Sequence, residues 1–188
     1  KKIIVMLLIS IFYQSAFAQK SGYWDKERAT YKEFVVSARD RIVVETDDFP
    51  AGTTELIYRI TLLDDNQQMA SSLVSVLKSI PDPTGISQGS AGAVFLLSKI
   101  SGDDKCKYAI FSTNELAKTY SSKGETANAC LAQNVALNKD AKRLSVDKSP
   151  CIKTNTTKLY FGFESSNWFM KQEIVLEVVP WVDTKLSR

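Results

Sequence analysis

Histidine is absent from the 188-residue chain, and that absence removes more chemistry than any residue present supplies. Ser-His-Asp and Cys-His nucleophilic arrangements, histidine-containing zinc sites and haem ligation through imidazole are all excluded. Long apolar runs are missing as well: the longest apolar-rich stretch covers ten positions, 3–12, well short of the ~20 residues that span a bilayer. Charge of one sign is in small surplus. Setting aside Lys1 and Lys2 from the 24 basic residues leaves 22 against 21 acidic ones, a net charge of +1. Lysine and arginine alternate with aspartate and glutamate, without the basic stripe of a nucleic-acid binder. Internal repeats and a second domain are also lacking.

What survives is carboxylate chemistry, a lysine nucleophile, or calcium held by oxygen ligands. The paired acids are Asp47-Asp48, Asp64-Asp65 and Asp103-Asp104. Each pair sits at the end of a strand-like run beside Gly, Asn or Pro, where aspartate is favoured because it hydrogen-bonds its own turn. No Asp-x-Asp-x-Asp calcium loop occurs, and the Gly-rich segment 85–92 lacks the Gly-Lys-Ser/Thr ending of a phosphate cradle. The sequence therefore assigns no catalytic residue, no metal ligand and no cofactor. Asn155-Thr156-Thr157 fits the glycosylation acceptor pattern, which carries weight only in a eukaryotic host.

Residues 1–18 combine two lysines, the apolar run 3–12 and an Ala16-Phe17-Ala18 site. This is the layout of a secretory signal peptide, and it predicts a mature chain from Gln19. No cysteine at the junction could accept a lipid. The expected product is secreted or periplasmic, without a membrane span of its own, and either soluble or held by partners, the outer membrane included. Residues 19–188 are of a length suited to a single domain with its own core.

The pattern over 19–188 is mainly β. Residues 158–179 hold two alternating arms, with Leu159, Phe161 and Phe163 on one face of the first and Ile174, Leu176 and Val178 on one face of the second. These arms read as a β-hairpin whose aromatic inward face requires a second sheet to cover it. Residues 34–38 and 42–46 flank Arg39-Asp40-Arg41 and read as another hairpin. Further strands are expected over 56–63, 93–99, 106–111 and 143–147. Helical spacing appears over 69–80, through Leu73, Val76, Leu77 and Ile80, and over 113–120, closed by Gly124. Residues 125–139 are polar with little periodicity and read as irregular. The expected fold is an antiparallel β-sandwich of jelly-roll type with two short inserted helices.

Three cysteines cannot all pair within one chain. Cys106 shares a strand face with Tyr108 and Ile110, the place of a small core residue. Cys130 and Cys151 lie in polar, irregular stretches that can adapt to disulfide geometry. Their pairing is favoured, with Cys106 to Cys130 as the alternative.

Candidate binding residues are the aromatics. Trp168 and Phe169 fall at the turn between the two arms of 158–179, and Tyr160 lies outward with Gly162 on the first arm. Such side chains can anchor in a partner's pocket or stack on a sugar ring. The competing reading is that Trp168 and Phe169 fold back to cap the sandwich.

Asp48-Phe49-Pro50-Ala51-Gly52-Thr53-Thr54-Glu55-Leu56 and Leu159-Tyr160-Phe161-Gly162-Phe163-Glu164 carry a resemblance. With them, residues 19–188 resemble the N-terminal module of secreted Bacteroidota proteins that bear tetratricopeptide-type or hypothetical labels, and more distantly the bacterial pre-peptidase C-terminal domain. The resemblance implies a non-enzymatic accessory module of a cell-envelope assembly, partnered by other envelope or secreted proteins. It transfers no functional residues. The second expectation, of a different class, is a carbohydrate-binding or adhesive module using Trp168, Phe169 and Tyr160.

Overall fold

The computed structural model describes residues 21–79 and 98–187. Their elements, in chain order, are β1 (Gly22–Trp24), β2 (Thr30–Val36), β3 (Arg41–Glu45), β4 (Thr53–Leu63), α1 (Leu73–Lys78), β5 (Cys106–Phe111), α2 (Asn114–Lys123), β6 (Leu131–Leu137), β7 (Lys139–Ser145), β8 (Tyr160–Ser165) and β9 (Gln172–Asp183). The strands form two antiparallel sheets. In the first, β9 pairs with β1 and β2 along one side and β4 on the other, and β7 lies beyond β4. The second has the order β3-β8-β5-β6.

Alternation along the strands decides which side chains meet between the sheets. Leu56, Tyr58, Ile60 and Leu62 of β4, with Ile174, Leu176 and Val178 of β9, pack against Tyr108 and Ile110 of β5 and Phe161 and Phe163 of β8. Ring pairs cross the interface, with centroids 5.1 Å apart for Phe34 and Phe163 and 5.4 Å for Tyr58 and Phe161. The expected inward face is present: Leu159, Phe161, Phe163, Ile174, Leu176 and Val178 are all fully buried. The molecule is a β-sandwich with one helix on each outer face. Helix α1 lays Leu73 and Leu77 over Ile57, Val179, Trp24 and Trp181 of the first sheet. Helix α2 lays Ala117 and Tyr120 over Ala109 and Phe111 of the second.

The two expected hairpins are corrected by the topology. β8 belongs to the second sheet and β9 to the first; β2 belongs to the first and β3 to the second. Each pair is therefore an arch that crosses the core. Period-2 alternation is the same for a hairpin and an arch, so the pattern identified the buried face without identifying the partner strand.

Other boundaries moved for local reasons. Helix α1 starts only at Leu73, where the Ser72 hydroxyl accepts the Ser75 amide at 3.1 Å. Helix α2 is capped by the Thr113 hydroxyl and ends at Gly124, whose φ of +73° is the left-handed conformation suited to glycine. β6 occupies part of the stretch expected to be irregular. It is an edge strand built from Leu131-Ala-Gln-Asn-Val-Ala-Leu137 with much of its length exposed, so its alternation is faint. β7 begins at Lys139, earlier than its apolar residues indicate. Residues 1–18, expected to be a signal peptide, the expected loop 81–92 and positions 93–97 of the expected strand lie outside the described residues; Ser98 and Lys99 are irregular.

Two ion pairs are buried on the outer face of the first sheet. Glu177 of β9 accepts from Arg59 of β4, Nε to Oε2 at 2.6 Å, and its Oε1 takes the Leu73 amide at 2.7 Å. The Arg59 guanidinium also donates to the Ser71 carbonyl at 2.5 Å. Arg143 of β7 pairs with Glu55 of β4. The first pair thus carries an otherwise unsatisfied amide at the start of α1.

Cys130 and Cys151 form a disulfide across a sequence separation of 21, while Cys106 is a buried free thiol. Burial pushes the Cys106 thiol up to about 12.

Three expectations follow from these contacts. Glu177→Leu should cost ~3 to 5 kcal/mol in denaturant unfolding because it removes the carboxylate that balances the buried Arg59 charge, and adding Arg59→Met should recover a large part of that loss. A double variant no better than the single one would show that the Arg59 contacts to α1, and not the pair, set the cost. Opening the disulfide by Cys130→Ser with Cys151→Ser should cost roughly 3 kcal/mol on the chain-entropy estimate. In the native protein at neutral pH, iodoacetamide should leave Cys106 unmodified until denaturant is added; rapid labelling would mean that β5 opens far more readily than its packing implies.

Candidate functional site

Three places on the described surface or within the sandwich bring unusual side chains together. The first is the connection 166–171 between β8 and β9. Its base is tightly held: the Arg39 amide donates to the Asn167 carbonyl at 3.1 Å, the Asn167 side-chain amide donates to Asp104 at 2.7 Å, and the Ser166 amide donates to the Lys105 carbonyl at 3.3 Å. Its tip is open. Trp168 is 66% exposed, Phe169 93% and Met170 63%, beside Val35 at 48%. The Arg39 guanidinium sits 4.6 Å over the Trp168 ring, fixing one ring face and leaving the other bare. The competing fold-back reading fails at this point, because neither aromatic caps the sandwich.

Next to this tip lies a cleft of about 270 Å³, bordered by Val35 and Met170, by Asp64, Asp65, Asp104 and Glu173, and by Lys171. Two of these acids serve the turns that carry them. Asp64 accepts from the Asp103 amide at 3.1 Å and from Gln67, and Asp104 accepts from Asn167. Glu173 differs: its carboxyl is held above the ordinary carboxylate range, first by a hydrogen bond with Glu33 and then by partial burial. Glu33 on β2 and Glu173 on β9 are diagonal neighbours in the register, so two acids are crowded on one strand face. No group of three or more acids and cysteines placed to hold a metal occurs among the described residues.

The second place is the outer face of the second sheet beside α2. Tyr160 and Asn114 are shared by two adjoining depressions of about 430 and 420 Å³. Tyr160 is half-buried against the Ala109, Phe111, Ala117 and Tyr120 cluster. Gly162, two positions along β8, explains how α2 comes so near. A Cβ added there would lie 2.4 Å from the Tyr120 ring, so the close neighbour of this glycine is the protein's own helix. At the far side, Arg41 donates to Glu164 at 2.8 Å. That bond holds the Glu164 carboxyl below the usual range, so its contribution to stability is present above the ordinary carboxylate pKa and is lost as pH falls through the lowered one.

The third place is internal. Tyr108 donates to Asp140 at 2.5 Å while its oxygen accepts from Lys142 at 3.0 Å and from Tyr58 at 2.7 Å. Lys142 also pairs with Asp140 at 2.8 Å. Burial, then the proximity of Tyr58 and Asp140, pushes the Tyr108 phenol well above its ordinary value. It is a neutral donor with its one proton and both lone pairs engaged, which is the arrangement of a satisfied buried network.

The sequence-derived candidates are thus separated. Trp168 and Phe169 lie past one end of β8 and Tyr160 starts the other, a strand length of roughly 17 Å at about 3.4 Å per residue. They do not form one platform. Cys130 and Cys151 are paired, and their disulfide lies near the Tyr160 depression, where Cys151 forms part of the wall. Sequence reasoning missed Met170 and Val35 at the tip; the consecutive Trp-Phe-Met in a non-strand stretch was the available signal. It also missed Asn114, Asn155 and Thr157 beside Tyr160, which come from separate segments and give no local signal.

Gly162→Ala should destabilise the protein by ~1 to 3 kcal/mol by forcing Tyr120 and α2 outward, read as a lowered Tm. In a Tyr120→Leu background the same glycine substitution should cost much less; equal costs in both backgrounds would show that the ring is not what confines this position.

No family model and no curated protein matches the chain.

Proposed function

We propose that this chain is a non-enzymatic interaction module of a secreted or periplasmic assembly, docking through the tip between β8 and β9. The observation that carries the reading is the contrast within 166–171: the backbone is tied to two neighbouring loops, yet Phe169 is 93% exposed with Trp168 and Met170 beside it. Rigid aromatic side chains on a fixed backbone lose little conformational freedom on binding, which is what an interface anchor requires. The signal-peptide pattern of residues 1–18 and the resemblance of 19–188 to envelope modules of Bacteroidota supply the address and the kind of assembly.

The surroundings of the tip specify the partner's chemistry. Asp64, Asp65, Asp104, Glu33 and Glu173 cluster beside the apolar group, with Lys171 as the one cation among the described residues bordering the same cleft. A cationic side chain placed there relieves the crowding of Glu33 and Glu173, whereas an acidic one adds to it. The fitting occupant is a protein surface with an apolar pocket rimmed by lysine or arginine.

Trp168→Ala with Phe169→Ala should leave Tm within about 1 °C of the parent, because both side chains are exposed. The same double variant should weaken capture of the native envelope partner by about thirtyfold or more, as removal of an anchor worth ~2 kcal/mol requires. Glu33→Gln with Glu173→Gln should weaken it less and flatten its salt dependence. A partner bound equally by parent and tip variant, or a parent that remains alone and monomeric in every envelope fraction, would defeat the reading.

A further inference from the structure

We infer that the outer face of the second sheet carries a second, independent site, a groove centred on Tyr160 and Asn114 that binds a neutral oligosaccharide segment. The two depressions that meet at these residues, about 430 and 420 Å³, are each of the size of ligand sites. Because they share Tyr160 and Asn114 they adjoin as one trough, which suits a chain of units more than one small molecule.

The lining selects the ligand class. Ser112, Asn114, Asn155, Thr157 and Ser121 contribute hydroxyls and amides to it. None of these five side chains makes a hydrogen bond to another described residue, so their donors and acceptors face the groove unspent. An apolar ligand would cover them without replacing their water, a cost of about 1 to 3 kcal/mol per group. Both signs of charge border the groove. Lys158 lies 3.5 Å from Glu45 and 3.4 Å from Asp48, and Arg41 is held by Glu164. Lys153 and Glu115 border one depression and Lys118 the other, so the cations are divided between the two and interspersed with acids, and a polyanion finds no stripe of one sign.

The floor completes the match. The Tyr160 ring rests on the Phe111 and Tyr120 cluster and borders both depressions. A tyrosine ring offers the carbon-hydrogen face of a pyranose an apolar, rigid surface, while amides and hydroxyls at its rim take the sugar hydroxyls. An aromatic floor with uncharged donors and acceptors from Ser112, Asn114, Ser121, Asn155 and Thr157 beside it fits a sugar chain. Because the trough lies beyond the opposite end of β8 from the exposed tip, it works whether or not the tip docks a partner.

The test is titration calorimetry of the full chain with neutral tetrasaccharides of glucose, mannose, xylose and N-acetylglucosamine, and with a uronate tetrasaccharide as the charged arm. At least one neutral probe should bind. Tyr160→Ala should lower its affinity by about tenfold or more, and Asn114→Ala or Asn155→Ala by about fivefold, while the Trp168→Ala, Phe169→Ala double variant should bind as the parent does. If Tyr160→Ala fails to fold, the two asparagine variants, both at the surface, decide alone. The inference is overturned by a blank across the neutral probes, by binding of the uronate probe only, by affinity unchanged in the asparagine variants, or by affinity lost in the tip variant.

Discussion

Arg59 and Glu177 meet on the side of the first sheet that a simple sandwich would turn to solvent, and their burial sets the conditions for much of the rest. Both side chains are almost fully inaccessible, at 1% and 4%. A charge removed from water at such a site is tolerated only if its partner and its remaining hydrogen bonds are all supplied. The strand pair β4 and β9 supplies the partner, and the segment entering α1 supplies the rest through Ser71 and Leu73. The helix must therefore lie where it does, with Leu73 and Leu77 covering Ile57 and Val179. Apolar packing alone could slide along the sheet. The ion pair fixes the register of helix on sheet at one point.

The second constraint is topological, and it produces the exposed tip. β2 pairs with β9 in one sheet and β3 pairs with β8 in the other, so the two arches lie side by side as one ribbon folded over the end of the sandwich. Val36 is registered with Gln172 and Arg41 with Glu164, which leaves four residues in the inner corner, 37–40, and seven in the outer one, 165–171. An outer corner has the longer path, but three extra residues exceed what bonding to the inner corner uses. Trp168, Phe169 and Met170 are the surplus. They project because the hydrogen bonds that Ser166 and Asn167 make with Arg39, Lys105 and Asp104 hold the residues on their near side, so the exposure of the tip is built by the fold.

How much of this was legible in the sequence depends on the range of the interaction. Alternation is local, and it identified the inward faces of β8 and β9 and the core position of Cys106. Caps are local too, and Thr113 and Gly124 bounded α2. Pairing partners are not local: the same alternation over 34–46 and 158–179 is compatible with hairpins or with arches, and the longer-range preference for two sheets decided. β6 was hidden because an edge strand with one poorly covered face has no need of a strong pattern. The burial of Glu55 and Arg59 on β4 had no local signal, since it depends on Arg143 and Glu177 being brought beside them from β7 and β9. The tip was half legible through its aromatics. The trough at Tyr160 was not, because Asn114, Asn155 and Thr157 are brought together only by the helix and the loop that flank β8.

Gly162 links that trough to the rest of the molecule. With no Cβ at this position, Tyr120 rests directly on β8, and α2 lies low over β5 and the middle of the strand. A helix packed this closely covers Gly162 but leaves Tyr160, two residues earlier on the same face, uncovered beyond its first turn. Had the position carried a larger side chain, α2 would ride higher and the walls of the trough would separate from its floor. The same strand thus serves three surfaces by alternation alone: Phe161 and Phe163 fill the core, Gly162 seats the helix, and Tyr160 is left as a rigid aromatic at the edge of the covered area. That division requires one residue without a side chain between two with large ones, and Tyr160-Phe161-Gly162-Phe163 meets the requirement in four consecutive positions.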